Sequence, residues 1–245
     1  MPSLHRWHSA RSIWQPRRGA IKVDFPQEVK QMNQYPINIR RYEGTVNAYL
    51  AQPVVKDGIL LYGSSFFTNW KNAAAQVFAA SEGEMTVVNH GFGGATADEL
   101  LYYYHKLVLP YEPHAMVTRM GPNDIFCGFT VEQAWQSAMR LCEFARADFP
   151  GIRIVLFSAF EHPSAKGWKG EKYAEFNALQ REYAEMTENV DFVDISEFFY
   201  ESPENVGTYE GFRDIFVEDG LHLKPEQYED VAAYFVKKMR GLGIK

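Results

Sequence analysis

A chain of 245 residues is long enough for one large domain, or for a domain carrying an extension. Hydrophobic residues at 46% and charged residues at 23% describe an ordinary globular chain with a sizeable core. The formal charge of -6 argues against a surface for nucleic acid or for an anionic membrane.

The two cysteines, Cys127 and Cys142, imply no disulfide framework, and a reducing compartment fits them. No apolar run approaches a membrane span, and the first 20 residues lack the continuous apolar core of a secretory signal. We therefore expect a cytoplasmic protein. Residues 1–57 show no clean period. Arg6, Arg11, Arg17 and Arg18 precede the first acid, Asp24, a composition similar to that of organelle transit segments. We read 1–57 as an irregular arm, packed on the body or mediating a homo-oligomer, with a short strand near 38–42. His5 and His8 lie three apart without a third ligand nearby, so no metal site is assigned.

From Gly58 the pattern becomes regular. Strands are expected over 58–62, 85–89, 115–120, 152–158 and 191–194. Helices are expected over 69–81, 97–105 and 131–148, then from the loop at Pro163 and Trp168 to about 187, and last over 225–240. Thr96 is a plausible N-cap for the second of these. Strands alternating with helices give βαβ units. The expected fold is a three-layer α/β/α domain over 58–245, with a flavodoxin-like, doubly wound sheet of five parallel strands.

The unusual loops all follow strands. Gly63-Ser64-Ser65 ends the first, Gly91-Phe92-Gly93-Gly94 the second, and Gly121-Pro122-Asn123-Asp124 the third. The carboxyl ends of parallel strands share one edge, where open α/β sheets place their ligands. Asp219-Gly220-Leu221-His222 lies in an irregular stretch before the last helix, free to fold over that edge. Each type has a task in acyl transfer. A serine hydroxyl is a weak nucleophile until a base takes its proton. His222 suits that base, and Asp219 is close enough to hold the other ring nitrogen. The backbone N–H groups of Ser65 and Gly94 and the side-chain amide of Asn123 suit an oxyanion hole.

These four blocks, in this order, resemble those of the SGNH, or GDSL-type, hydrolases, over 58 to the C-terminus. The resemblance implies Ser65 as nucleophile, Gly94 and Asn123 as oxyanion donors, and Asp219 and His222 as the rest of a triad. Ser64 stands where the family name has Asp, and a Gly-Ser-Ser block followed by a tryptophan, here Trp70, is similar to a subgroup of the family. Ser65 is chosen over Ser64 by register.

The glycine turn at 91–94 suggests a dinucleotide site, but the third glycine of that fingerprint falls on Thr96 and no terminal acid follows the next strand, so no cofactor is expected. The absence of a Gly-x-Ser-x-Gly elbow argues against an α/β-hydrolase fold. His90 reads as a structural hydrogen-bonder, Trp70 as core, and Arg119 as a partner for an acid such as Asp124. Phe66, Phe126, His162 and Trp168 are candidate substrate contacts, with Phe67 and Tyr209 also near the loops. The preferred substrate is a small ester, an O-acetyl group on a carbohydrate. The alternatives are a general short-chain carboxylesterase or thioesterase, and a non-catalytic binding module on the same fold.

Overall fold

A computed structural model describes residues 40–245, except for the side chain of Trp168. In chain order the regular elements begin with α1 (Glu43–Leu50), β1 (Ile59–Gly63), α2 (Ser65–Thr68), α3 (Ala73–Ala80) and β2 (Val87–Gly91). There follow α4 (Ala97–Leu107), β3 (Ala115–Arg119), α5 (Pro122–Phe126), α6 (Val131–Asp148) and β4 (Arg153–Phe157). The chain ends with α7 (Trp168–Met186), β5 (Val190–Val193) and α8 (Tyr228–Gly241). The sheet order is β2-β1-β3-β4-β5, and every pair is parallel. This is the expected doubly wound α/β/α fold, with its switch point between β1 and β3.

The sheet separates two cores. In β1, Leu60 and Tyr62 face one side, while Ile59 and Leu61 face the other, as pleating requires. The first core packs against α4, α6 and α7 through Leu100, Leu141 and Phe176. The second packs against α3 and α8 through Val77, Val231 and Phe235. Both faces are covered, which explains why the strands read as apolar runs without alternation.

Three expectations need correction. Residues 40–42 form a turn and α1 follows, where a short strand and an irregular arm were expected; residues 1–39 lie outside the described residues. Tyr42, Val46 and Tyr49 recur at helical spacing and turn one face inward. The expected helix over 69–81 is shorter, α3 over 73–80, and a separate short helix, α2, precedes it over 65–68. The Asn89 amide donates to the carbonyls of Phe67 and Trp70, which fixes the break between them. The loop after β3 holds a short helix, α5, with Pro122 at its first turn, where a missing N–H costs nothing.

Candidate active site

Ser65 opens α2 directly after β1. Ser64 before it is buried, and its carbonyl accepts from the N–H groups of Phe67 and Thr68. Ser65 is half-buried and lines a cavity together with Phe66, Arg119, His222 and Tyr228. Being the first residue of α2, it has an N–H with no partner inside the helix, and among the described residues that N–H donates to no other oxygen.

The turn after β2 runs beside α2. A Cβ on Gly91 would lie 2.4 Å from the Thr68 nitrogen, so only glycine permits this approach. Gly94 has φ +78°, a conformation that glycine adopts without strain. Its N–H also donates to no oxygen among the described residues. The carbonyls of this turn point the other way and are held from α1 and the turn before it. Tyr42 Oη donates to Gly93 O at 2.7 Å, Arg41 Nη2 to Gly94 O at 2.9 Å, and Tyr49 Oη to Gly91 O at 2.6 Å. A peptide plane is rigid, so fixing Gly93 C=O turns the Gly94 N–H away from Tyr42. Arg41 is itself held by both Glu99 oxygens, and Glu99 closes a capping box on Thr96, the N-cap of α4.

The third loop is tied to the second. Asn123 Nδ2 donates to Ala95 O at 2.8 Å, leaving the second N–H of the amide available. The Ala97 N–H donates to Asp124 Oδ1 at 2.9 Å. Asp124 is buried, its Oδ2 has no partner, and burial pushes its carboxyl up to about 7.

The last block forms a tight turn. Asp219 Oδ1 accepts from the N–H groups of Leu221 and His222, at 2.8 and 2.9 Å. Asp219 Oδ2 lies 2.6 Å from His222 Nδ1. Partial burial draws the Asp219 carboxyl up, but the His222 N–H, the His222 ring and the Leu221 N–H outweigh it and hold it down at about 2. An ionised carboxylate at that distance places the proton on Nδ1 and leaves Nε2 with its lone pair. His222 shares the cavity with Ser65.

Beneath this turn lies His162, buried, with Nδ1 3.2 Å from Gly220 O and 2.9 Å from Ser164 Oγ. Burial first, and then the Arg119 charge, hold its imidazole down at about 4, so the ring is neutral and can donate to Gly220 from Nδ1. Its place is as a prop for the 219–222 turn, where the sequence suggested a substrate contact.

The model of the GDSL-like lipase/acylhydrolase family matches residues 60–229. The chain belongs to this family. Its members are hydrolases that act on ester bonds. A sequence comparison with curated proteins gives no match. Among solved structures, a GDSL-like lipase from Bacteroides thetaiotaomicron is similar at TM-score 0.59 and 20% identity, covering 84% of this chain and 98% of that one. A Streptococcus pneumonia protein, provisionally described as a platelet activating factor, gives TM-score 0.65 and 19% identity over 87% and 98%. An acetyl xylan esterase, AlAXEase, gives 0.60 and 16% over 76% and 100%. At these identities the likeness is one of fold.

The GDSL-like domain distributes the remaining predicted residues unevenly. Phe66 is buried among Phe67, Phe160, Phe199 and Tyr228 and shows one edge to the cavity. Phe126 is 68% exposed at the end of α5, with Lys169 Nζ 5.1 Å from its ring centre. The side chain of Trp168 lies outside the described residues. Trp70 is core, stacked on Tyr228, and His90 is buried with Nδ1 2.8 Å from Leu107 O. Arg119 does not pair with Asp124 or with any other acid among the described residues. Sequence reasoning missed Arg41, Tyr42, Tyr49 and Asn89, which hold the loops. The spacing of Tyr42, Val46 and Tyr49 was the available signal for the first group. No motif marks Asn89. Among the described residues no group of three His, Cys, Asp or Glu is placed to hold a metal ion, and no helix is long and apolar enough to cross a membrane.

Proposed function

We propose that the protein is a serine esterase that removes small acyl groups through an acyl-enzyme on Ser65. The observation that carries this reading is that Ser65 and His222 line one cavity while Asp219 holds the far side of the His222 ring. In the first half-reaction His222 Nε2 takes the Ser65 proton as Oγ attacks the ester carbonyl. Negative charge moves to the carbonyl oxygen, where the N–H groups of Ser65 and Gly94 and the free N–H of Asn123 are available as donors. The intermediate collapses, the alcohol leaves with the proton from His222, and the acyl group stays on Oγ. Water then enters and gives a proton to His222 as its oxygen attacks the acyl carbonyl; the Oγ–acyl bond breaks, Ser65 Oγ takes the proton back from His222, and the acid is released. Asp219 remains ionised throughout and stabilises the imidazolium.

As substrate we propose an O-acetyl group on a carbohydrate. Phe126 supports this, as an exposed ring one helical turn from Asn123 on which a sugar face can stack. A general short-chain esterase or thioesterase is the second reading. It is supported by an apolar cavity behind Phe66, walled by Phe157, Phe198, Phe199, Val231 and Phe235. A series of p-nitrophenyl esters of rising acyl length separates the two. The acetyl reading expects a maximum at acetate, and the second expects longer chains to win.

The primary test is hydrolysis of p-nitrophenyl acetate by wild type and Ser65→Ala. The variant should lose roughly a thousandfold or more in kcat. A fluorophosphonate probe should label wild type at Ser65. No labelling, with equal slow rates for both proteins, would favour a binding module on this fold.

A further inference from the structure

Arg119 ends β3 and pairs in register with Gly63, two residues before Ser65. It is only 4% exposed, and it lines the same cavity as Ser65 and His222. Its Nε and Nη2, the two donors on one edge of the guanidinium, are buried without a hydrogen-bond partner. No acid neutralises it among the described residues: the titratable groups that face it are the Tyr173 and Tyr228 hydroxyls and the neutral ring of His162. Its Cζ lies 4.1 Å from the Phe160 ring centre and 5.9 Å from that of Phe66. Burial lowers the guanidinium to about 10, which leaves it charged at neutral pH.

A buried charge without a counter-ion is costly, and two flanking rings return a small part of that cost. Proteins that keep such a group generally use it. A guanidinium edge matches a planar carboxylate with two parallel hydrogen bonds. The remaining walls here are rings and leucines, Phe66, Phe160, Tyr228, Leu221 and Leu223, which suit a flat monoanion better than a tetrahedral dianion. We infer that Arg119 is the carboxylate receptor of the catalytic cavity, and that the natural ester carries a carboxylate on its acyl or its alcohol part. This rests on the esterase reading above and narrows its substrate to acidic esters, such as an acetylated acidic sugar.

Two pairs of probes test it. p-Nitrophenyl hydrogen glutarate is compared with its neutral amide, p-nitrophenyl glutaramate, and 4-acetoxybenzoate with 4-acetoxybenzamide. Each pair replaces a carboxylate by a carboxamide of nearly the same size, and the spontaneous rate of each ester is subtracted. Wild type should favour the acid by about tenfold or more in kcat/KM in one pair, and Arg119→Gln should abolish that ratio while Arg119→Lys keeps part of it. If wild type shows no preference in either pair, or Arg119→Gln keeps the preference, the inference is wrong even though the esterase reading stands. Should Arg119→Gln not fold, the wild-type ratios decide. If none of the four esters is turned over in a Ser65-dependent way, the esterase reading fails instead. The anion site is then judged by melting temperature at constant ionic strength. Glutarate should raise Tm in wild type and in Ser65→Ala but not in Arg119→Gln. A rise with inorganic phosphate alone, or no rise, overturns the carboxylate assignment.

Discussion

Asp219 and His222 hold each other across three positions of chain, and the N–H groups that fix the Asp219 carboxylate belong to the same turn. The 91–94 turn is held from outside instead, by Arg41, Tyr42 and Tyr49, which stand 53, 51 and 42 positions away from their acceptors. One half of the candidate site is thus a local device and the other is assembled by tertiary structure. The local one is also propped by His162, 58 positions from Gly220, but its carboxylate–imidazole contact is made within the turn. An assembled one depends on a helix that carries no chemistry of its own.

That contrast sets an order of expected effects. Asp219→Asn keeps the shape of the local turn but removes the charge opposite Nδ1, and kcat should fall by about 10⁴ in an ester assay. A fall of less than about tenfold would mean that the pair is ornamental. Asn123→Ala takes one donor from the assembled half, and kcat should drop about 10²-fold or more with little change in KM. Asp124 sits beside that donor, and its raised pKa gives the assembled half a pH dependence. Its pKa is about 7 in the folded protein against an ordinary 3.8, so the folded state keeps a proton that the unfolded chain releases. The stability from this group is full below about 4 and is lost as pH rises to about 7. Asp124→Asn keeps the acceptor for the Ala97 N–H and should flatten this part of the curve. The gap between the two proteins in urea unfolding should change by at most about 1.4 kcal/mol per pH unit between pH 5 and 7. An unchanged gap would show that Asp124 is ionised in the folded protein. The smallest effect is expected for Tyr42→Phe, which deletes one hydroxyl at Gly93 O. Such a bond contributes about 1 kcal/mol, so kcat should fall a few-fold at constant KM. A matching fall for a variant on the opposite face of α1, away from the turn, would point to general loosening of the fold.

The same contrast marks how far the sequence could be read. The sheet was legible because five apolar runs buried on both faces alternate with helical periods. The four blocks were legible because each is a short string of unusual residues at a strand end or before the last helix. Ser65, Gly94 and Asn123 follow β1, β2 and β3, whose carboxyl ends share one edge, and His222 lines one cavity with Ser65. What stayed hidden depends on distance along the chain. Nothing near Tyr42 announces that its hydroxyl will meet Gly93, and nothing near Asn89 announces that its amide will end α2. Arg119 misled for a related reason. An acid five positions on made an ion pair plausible, but β3 ends on the side of the sheet where Phe66 and Phe160 lie, while Asp124 turns towards the start of α4.

The tethers from α1 and the turn before it lie outside the stretch 60–229 in which the family is recognised. The stretch by which the family is recognised therefore leaves out three side chains that hold the 91–94 turn. A protein trimmed to its recognisable blocks would keep Ser65, His222 and Asp219 but would lose the hydroxyl that holds Gly93 O. A helix that belongs to no motif, with the turn before it, is what fixes the Gly93–Gly94 peptide plane.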